Sequence, residues 1–403
     1  MTERARREYA EALRSRYERA TRGERSQMLD EYCRTTGCHR KSAIRRLQTA
    51  PAPGPDRRGR PRRYGPDLLP VLQWLWEISD RLCGKLLAPV LPVLVPALER
   101  HGALSPNPTL RQALLTLSPA SIDRLLGPIR QRLGRPPRRS RPAAGSLKAQ
   151  VPLRTWGDWR AVRPGALQGD LVLHCGESLH GFFLTTLGAV DVATGWTELE
   201  AVWGLGQRRV GSAVHAVRQR LPFPLREWHP DNGGEFLNQI LVPWCRREGI
   251  PVTRGRGYRK NDQASVEQKN WLAVRRLVGY DRFSSHPAYA RLQQLYGLLR
   301  LQLNFFRPLR KLVSKQRVRA KVIKRYDSAQ TPYQRVLAAG ILDAAERNRL
   351  EGEYLRINPA GVSRQLGQML EALWQQAETR RHRESPIGAS SPAVKGSWPP
   401  RSR

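Results

Sequence analysis

Acidic residues are scarce in this chain of 403 residues. It contains 34 Asp and Glu against 70 Lys and Arg, so its formal net charge is +36. Lysine is scarce too, because 60 of the basic residues are arginines. A GC-rich genome would give the same bias, but guanidinium groups also favour bidentate contacts with phosphate. So large a positive charge favours nucleic acid as the partner over a membrane surface or an acidic protein.

Cysteine is also rare, and long apolar runs are missing. The five cysteines are odd in number and irregularly spaced, which is typical of reduced thiols in a cytosolic protein. The longest apolar run, Leu86 to Leu98, has 13 residues and contains three prolines, so it is too short and too broken to span a bilayer. The charged N-terminus lacks the features of a secretory signal peptide. We therefore expect a cytoplasmic protein without a membrane partner.

Residues 1–50 have helical periodicity on both sides of a tight turn at Gly37. The second segment begins with basic residues that include Arg40 and Lys41. This pattern favours a helix-turn-helix whose second helix presents basic residues to DNA. A helical hairpin with a solvated basic face is the alternative.

Two basic linkers rich in proline follow at residues 51–67 and 135–155. In the first linker, Arg58 and Arg60 could lie in a DNA minor groove as part of an extended arm. A soluble spacer explains the same composition equally well.

Residues 68–134, between the linkers, are again predicted to be helical. Ser118 is a good N-cap there, with Pro119 in the first turn of the helix. That helix carries Arg124, so it is a second candidate for contact with DNA.

The pattern over residues 156–285 is typical of an α/β domain. Strand-like segments come first and then alternate with helical ones, which predicts a mixed sheet. Residues 286–375 are predicted to be helices and a small basic β region, and residues 376–403 to be disordered. The sequence therefore predicts a multidomain protein with an α-helical N-terminal DNA-binding region, an α/β core and a small basic β/α C-terminal region.

Three carboxylates of the α/β core lie where a purely structural role is hard to assign. Asp170 falls inside a predicted central strand, where a charge is costly to bury unless it is paired or binds metal. Asp231 directly follows a short strand, although in isolation it is better explained as a helix N-cap. Glu267 falls, by helical periodicity, in an apolar stripe with Trp271 and Val274, and pairing with an arginine is its alternative role. Carboxylates brought together need cations, and hard oxygen ligands suit Mg²⁺ or Mn²⁺.

The 35 residues between Asp231 and Glu267 complete a known pattern. The segments GDLVLHCG, HPDNGGEF and GYRKNDQASVEQKNW resemble the three motifs of the D,D(35)E catalytic core of retroviral integrases and bacterial insertion-sequence transposases, which have an RNase H-like fold. VGYDRF, NFFRPLRKL and YDSAQTPYQRVL also resemble transposases of this group. The resemblance covers most of residues 20–340.

The resemblance implies that Asp170, Asp231 and Glu267 are catalytic and bind two Mg²⁺ ions, for which Mn²⁺ could substitute. It implies a transposase that binds the terminal inverted repeats of an insertion sequence, nicks them and joins the freed 3′ end to target DNA. Such a protein would act on double-stranded DNA as a homo-oligomer, in association with the bacterial nucleoid. A non-catalytic DNA-binding regulator derived from a transposase is one alternative, and a metal-dependent nuclease without strand transfer is another.

One position departs from the family pattern. Many relatives carry Lys or Arg seven residues after the Glu, where this chain has Val274. The DNA contact is expected to come instead from one or more of Lys260, Asn261, Gln268, Arg275 or Arg276. Asn232 and Gly233 are expected to support Asp231 by forming the turn that follows it. A structural or indirect role is expected for the other nearby polar residues, which are His174, Glu177, Asp191 and Asp262.

Overall fold

The computed structural model describes residues 1–49, 64, 67–132, 162–231, 233–255, 264–318 and 321–378. The chain divides into two compact units, Met1–Gly65 and Pro66–Arg403. Arg58 and Arg60 of the predicted DNA-binding arm lie outside the described residues.

The first unit is helical, as the sequence predicts. Its helices are α1 (Glu3–Arg19), α2 (Arg22–Thr36) and α3 (Arg40–Gln48). Tyr32 of α2 and Leu47 of α3 are fully buried in the core that these helices share. Gly37 ends α2 with φ 69°, a left-handed conformation that glycine adopts without steric cost. The turn predicted at this position is therefore present, and contact of α3 with DNA stays a prediction.

The second unit begins with four helices over the region predicted to be helical. They are α4 (Leu68–Ile78), α5 (Gly84–Arg100), α6 (Pro108–Leu115) and α7 (Pro119–Arg132). The apolar run forms most of α5, although it has three prolines inside the helix. Ser118 accepts a hydrogen bond from the Ser121 N–H before α7, which is the cap that the sequence predicts. Among the described residues no helix is long and apolar enough to cross a membrane.

A four-stranded mixed sheet forms the centre of the second unit. Its strands are β1 (Ala166–Leu173), β2 (Thr185–Asp191), β3 (Thr197–Val202) and β4 (Glu227–Pro230). Their order is β3-β2-β1-β4; β1 pairs with β2, and β2 with β3, in antiparallel fashion, whereas β4 is parallel to β1. This arrangement confirms the predicted mixed sheet, and β1 lies between β2 and β4.

Three helical segments alternate with and follow the strands. They are α8 (Gln207–Arg220), α9 (Leu241–Arg247) and α10 (Ala264–Lys269), and α10 runs on into a π-helical segment, Asn270–Arg275. Helix α9 has seven residues, and Val252, which follows it, pairs with Trp228 in an isolated parallel bridge.

Helices and a hairpin complete the second unit. They are α11 (His286–Leu301), which continues as a π-helical segment (Gln302–Phe306), the hairpin β5 (Leu312–Val318) and β6 (Lys321–Tyr326), and helices α12 (Pro332–Ala338), α13 (Ala344–Arg356) and α14 (Pro359–Trp374). The antiparallel hairpin agrees with the small basic β region predicted there. Helix α11 packs on β3 and α14, and α14 also contacts α4 and α5.

Candidate active site

Asp170 lies in the middle of β1, directly opposite Gly188 of β2. Its Oδ2 accepts a hydrogen bond of 2.8 Å from the Asn270 side-chain amide. Its Oδ1 accepts one of 2.8 Å from the backbone N–H of Leu171. These two contacts fix the carboxylate while leaving further lone pairs on both oxygens.

Asp231 leaves the sheet beside Asp170. The last parallel pair between β1 and β4 joins Gly169 to Pro230, and the Asp231 N–H extends the ladder by donating to the Gly169 carbonyl at 3.1 Å. Asp170 and Asp231 therefore occupy the positions that follow the Gly169–Pro230 pair on two neighbouring strands. Neighbouring strands lie about 4.8 Å apart.

A turn holds the Asp231 side chain. Its Oδ1 accepts a hydrogen bond of 2.9 Å from the Gly233 N–H. No helix begins at Gly233 or Gly234 among the described residues; the next helix, α9, begins at Leu241, so the helix N-cap alternative for Asp231 is wrong. The supporting role predicted for Gly233 stays a prediction, and Asn232 lies outside the described residues.

Glu267 is exposed, and the prediction that it faces the protein within an apolar stripe is wrong. Trp271, predicted to share that stripe, is also 43% exposed. The buried face of this helix instead includes Lys269, which is 8% exposed, and Val274. Burial, and secondarily the charge of Arg307, lowers the pKa of Lys269 to about 7.

A hydrogen bond ties the start of α10 to the central strand. The Val266 N–H donates to the Gln168 side-chain oxygen at 3.3 Å, and both residues are buried. Glu267 is the next residue along α10. This anchor therefore holds Glu267 above β1, within electrostatic range of Asp170.

The charges of Asp231 and Glu267 both affect Asp170. Burial and the negative charge of Asp231 raise the pKa of the Asp170 carboxyl to about 7, and Glu267 adds a smaller effect in the same direction. Hydrogen bonds from Asn270 and Leu171 oppose this rise by stabilising the ionised form. The site is therefore a place where negative charge is crowded and a cation would relieve the repulsion.

Asn270 and Gly188 belong to this site, although the sequence did not single them out. Asn270 is 5% exposed, and its buried Oδ1 has no hydrogen-bond partner among the residues that the structure describes. A Cβ on Gly188 would lie 2.1 Å from that oxygen, so only glycine lets Asn270 approach Asp170 across the sheet. Asn270 lies three residues, about one helical turn, after Glu267, and this spacing is the signal that could have identified it.

A divalent cation fits the chemistry of these residues. Among the parts of the chain that the structure describes, no three His, Cys, Asp or Glu side chains are grouped closely enough to hold a metal ion. Asp170 and Asp231 nevertheless occupy neighbouring register positions, and after burial the negative charge of Asp231 is the largest cause of the raised pKa of Asp170. Oxygen ligands of this kind suit Mg²⁺.

The predicted DNA-contacting residues fall into different environments. Lys41, Arg124 and Gln268 are exposed. The Arg40 guanidinium pairs with Asp30 and donates to the Ser26 hydroxyl, so part of its hydrogen-bonding capacity is used within the unit. Lys260 and Asn261 lie outside the described residues. Arg275 packs over the ring of Tyr280, and Arg276 pairs with Asp80.

Neighbouring polar side chains have structural contacts. The buried His174 lies 2.7 Å from the Thr186 hydroxyl, and burial lowers its pKa to about 3, with Arg275 adding to the effect. Asp191 accepts hydrogen bonds from the backbone N–H groups of Gly165 and Thr194 and so fixes the turn after β2. Glu177 is exposed, and Asp262 lies outside the described residues.

The chain is similar to a known bacterial protein and, in structure, to a retroviral integrase domain. No protein-family model matches the chain. The catalytic core domain of BIV integrase, a crystal structure, matches with a TM-score of 0.28 and 17% identity over 43% of this chain and 95% of its own. The uncharacterized protein y4rM of Sinorhizobium fredii (strain NBRC 101917 / NGR234) is 45% identical over 328 residues, which are 81% of this chain and 94% of that protein. At this identity over most of both chains, the protein belongs to the same family as y4rM.

Proposed function

We propose that this protein is a transposase that binds the ends of an insertion sequence and catalyses metal-dependent DNA cleavage and strand transfer. The observation that carries the proposal is the pair Asp170 and Asp231, side by side at neighbouring parallel strands with Glu267 in electrostatic range. The three sequence motifs that contain these residues resemble those of integrase-like transposases, which supports a catalytic role for them. The excess of basic residues supports DNA as the substrate.

Asp170 and Asp231 are the proposed ligands of Mg²⁺, and Glu267 is the third. When bound, Mg²⁺ supplies a Lewis acid that polarises a phosphodiester and lowers the pKa of water or of a 3′-hydroxyl. Asn270 orients Asp170, and the Gly233 N–H orients Asp231. Residues that orient metal ligands in this way commonly change metal affinity or activity by about 10–100-fold when they are replaced.

The proposed DNA contacts involve both units. The exposed Lys41 on α3 would contact DNA at the terminal repeats, since every charged residue of α3 is basic. Exposed Gln268 would contact DNA near the catalytic carboxylates. Two ends must be joined to one target, so a homo-oligomer on DNA is part of the proposal.

Strand joining tests this function. The purified protein is incubated with Mg²⁺, target DNA and a pre-nicked duplex that carries an inverted repeat flanking its gene, and the joined products are separated by length. We expect joining by the unmodified protein and its loss in Asp231→Asn and Glu267→Gln. Glu371→Gln, an exposed glutamate of α14, is the matched control and should join DNA normally.

Two outcomes would replace the proposal by an alternative. Tight, salt-sensitive DNA binding with neither nicking nor joining would indicate a DNA-binding regulator. Nicking without joining would indicate a nuclease. Full joining activity in Asp231→Asn would show that the carboxylates have been assigned wrongly.

A further inference from the structure

Trp271 exposes a large aromatic surface next to the candidate active site. Its side chain is 43% exposed, although tryptophan is highly buried on average in folded proteins. It lies four residues after the exposed Glu267, and side chains at this spacing are neighbours on a helix, with Cβ atoms about 5–6 Å apart. The carboxylate and the indole therefore share one solvent-facing side of the α10 helix and its π-helical extension.

A cation and a second aromatic ring follow Trp271 in the sequence: Arg275, four residues later and half-buried, and Tyr280, beyond the end of the helix. The Arg275 guanidinium lies 4.9 Å from the centroid of the Tyr280 ring, and Tyr280 is 39% exposed. Arg275 also interacts electrostatically with Asp170. Aromatic rings combined with a basic group next to an active site are typical of proteins that bind single-stranded nucleic acid, because every base has a face that can stack.

We propose that Trp271, Arg275 and Tyr280 form a stacking site for unpaired nucleotides at a DNA end. The inference rests on the proposed function and specifies its substrate as a DNA end with unpaired terminal bases. It also accounts for Val274, which stands where many relatives have a basic residue and is fully buried, so it cannot contact DNA. Stacking on Trp271 positions the strand end next to Asp170 and Asp231 in place of that missing charge.

A fluorescent base at the DNA end tests the stacking site. The duplex carries 2-aminopurine in a short unpaired 3′ extension, and it is titrated with the full-length protein without divalent ions. Stacking of 2-aminopurine quenches its fluorescence, so the unmodified protein should quench it on binding. We expect Trp271→Ala to abolish the quenching and to weaken binding of this duplex about tenfold, within the range for one base–aromatic stack.

Matched variants separate stacking from a general loss of folding or charge. Trp271→Phe keeps an aromatic face and should restore most of the quenching and affinity. Leu355→Ala removes another exposed apolar side chain, 50% exposed on α13, and should bind like the unmodified protein. A flush-ended duplex should bind Trp271→Ala with less than about a twofold change, because stacking on Trp271 requires an unpaired base.

The outcomes distinguish this inference from the proposed function. Quenching that persists in Trp271→Ala, or an equal loss of affinity for flush and unpaired ends, would overturn the stacking site even if the protein joins DNA. Quenching that depends on Trp271 in a protein that cannot join DNA would uphold the stacking site and reject the transposase.

Discussion

Replacing Gly188 with alanine should displace Asn270 and disturb Asp170 on the neighbouring strand. The added Cβ would lie 2.1 Å from the Asn270 Oδ1 and 3.2 Å from its Cγ, both closer than van der Waals contact allows. Asn270 is 5% exposed, so its amide has little room to turn away. The hydrogen bond that Asn270 donates to Asp170 should therefore be lost.

The expected cost follows from two effects. Overpacking of a buried site costs about 1–3 kcal/mol. Loss of a hydrogen bond to a charged group costs about 1.5–3 kcal/mol. Since both arise from one displaced side chain, we expect Gly188→Ala to lower the free energy of unfolding of the second unit by about 3 kcal/mol.

Urea unfolding followed by tryptophan fluorescence measures this cost in the intact chain. None of the 11 tryptophans precedes Trp74, so the signal reports only on the second unit. Gly352→Ala is the matched control, because a Cβ there meets nothing within 4 Å. It should leave stability unchanged or raise it by about 0.5–1 kcal/mol, as expected for alanine in place of glycine in a helix.

A double-mutant cycle with Asn270→Ala makes the test decisive. Asn270→Ala removes the hydrogen bond but also the atom that the new Cβ would strike. Gly188→Ala should therefore cost little in the Asn270→Ala background, and the coupling energy should be close to about 3 kcal/mol, the upper end of the range for residues in contact. Additive costs of the two substitutions would refute the proposed contact between Gly188, Asn270 and Asp170.

Two further predictions concern buried and crowded charges. Glu198 is fully buried and accepts hydrogen bonds from Arg220, Arg300 and the Trp196 indole. Glu198→Ala should therefore lower the free energy of unfolding of the second unit, measured in urea, by about 3–5 kcal/mol. A cost below about 1 kcal/mol, like that expected for the exposed Glu371→Ala, would contradict this ion-pair network. Mg²⁺ at ten times its dissociation constant should stabilise the unmodified protein by about 1.4 kcal/mol. Without Mg²⁺, Asp231→Asn should melt at a higher temperature than the unmodified protein, because it removes a like charge beside Asp170. The variant should also lose the stabilisation by Mg²⁺. Equal Mg²⁺ effects in both proteins would argue against Asp231 as a ligand.

Periodicity predicted much of the fold because the relevant elements are regular. Gly37 ends a helix as expected, and the alternation of strands and helices gives the mixed sheet around β1. The prediction for Glu267 failed because it assumed 100° per residue throughout the helix. The chain instead becomes π-helical from Asn270 to Arg275, where hydrogen bonds such as that from Arg276 N–H to Trp271 O span five residues.

Contacts between distant segments were beyond a single sequence. Asp170 and Asp231 could be placed at a sheet, but their adjacency depends on β4 pairing in parallel with β1. Gly188 has no special signature in the sequence of β2, since its role depends on which helix crosses that strand. The spacing of Asn270 from Glu267 was visible in the sequence, but its contact with Asp170 was not, because the two residues lie 100 positions apart.

The charges around Asp170 set it apart from the structural carboxylates of the same protein. Asp80 and Glu198 are buried, and each is paired with two arginine side chains. Asp170 is opposed instead by Asp231, which is the largest charge effect on its pKa. A chain with twice as many basic as acidic residues could readily have paired this carboxylate with an arginine. Two acids at neighbouring register positions, with an amide from Asn270 in place of a guanidinium, are the arrangement that the proposed cation site requires.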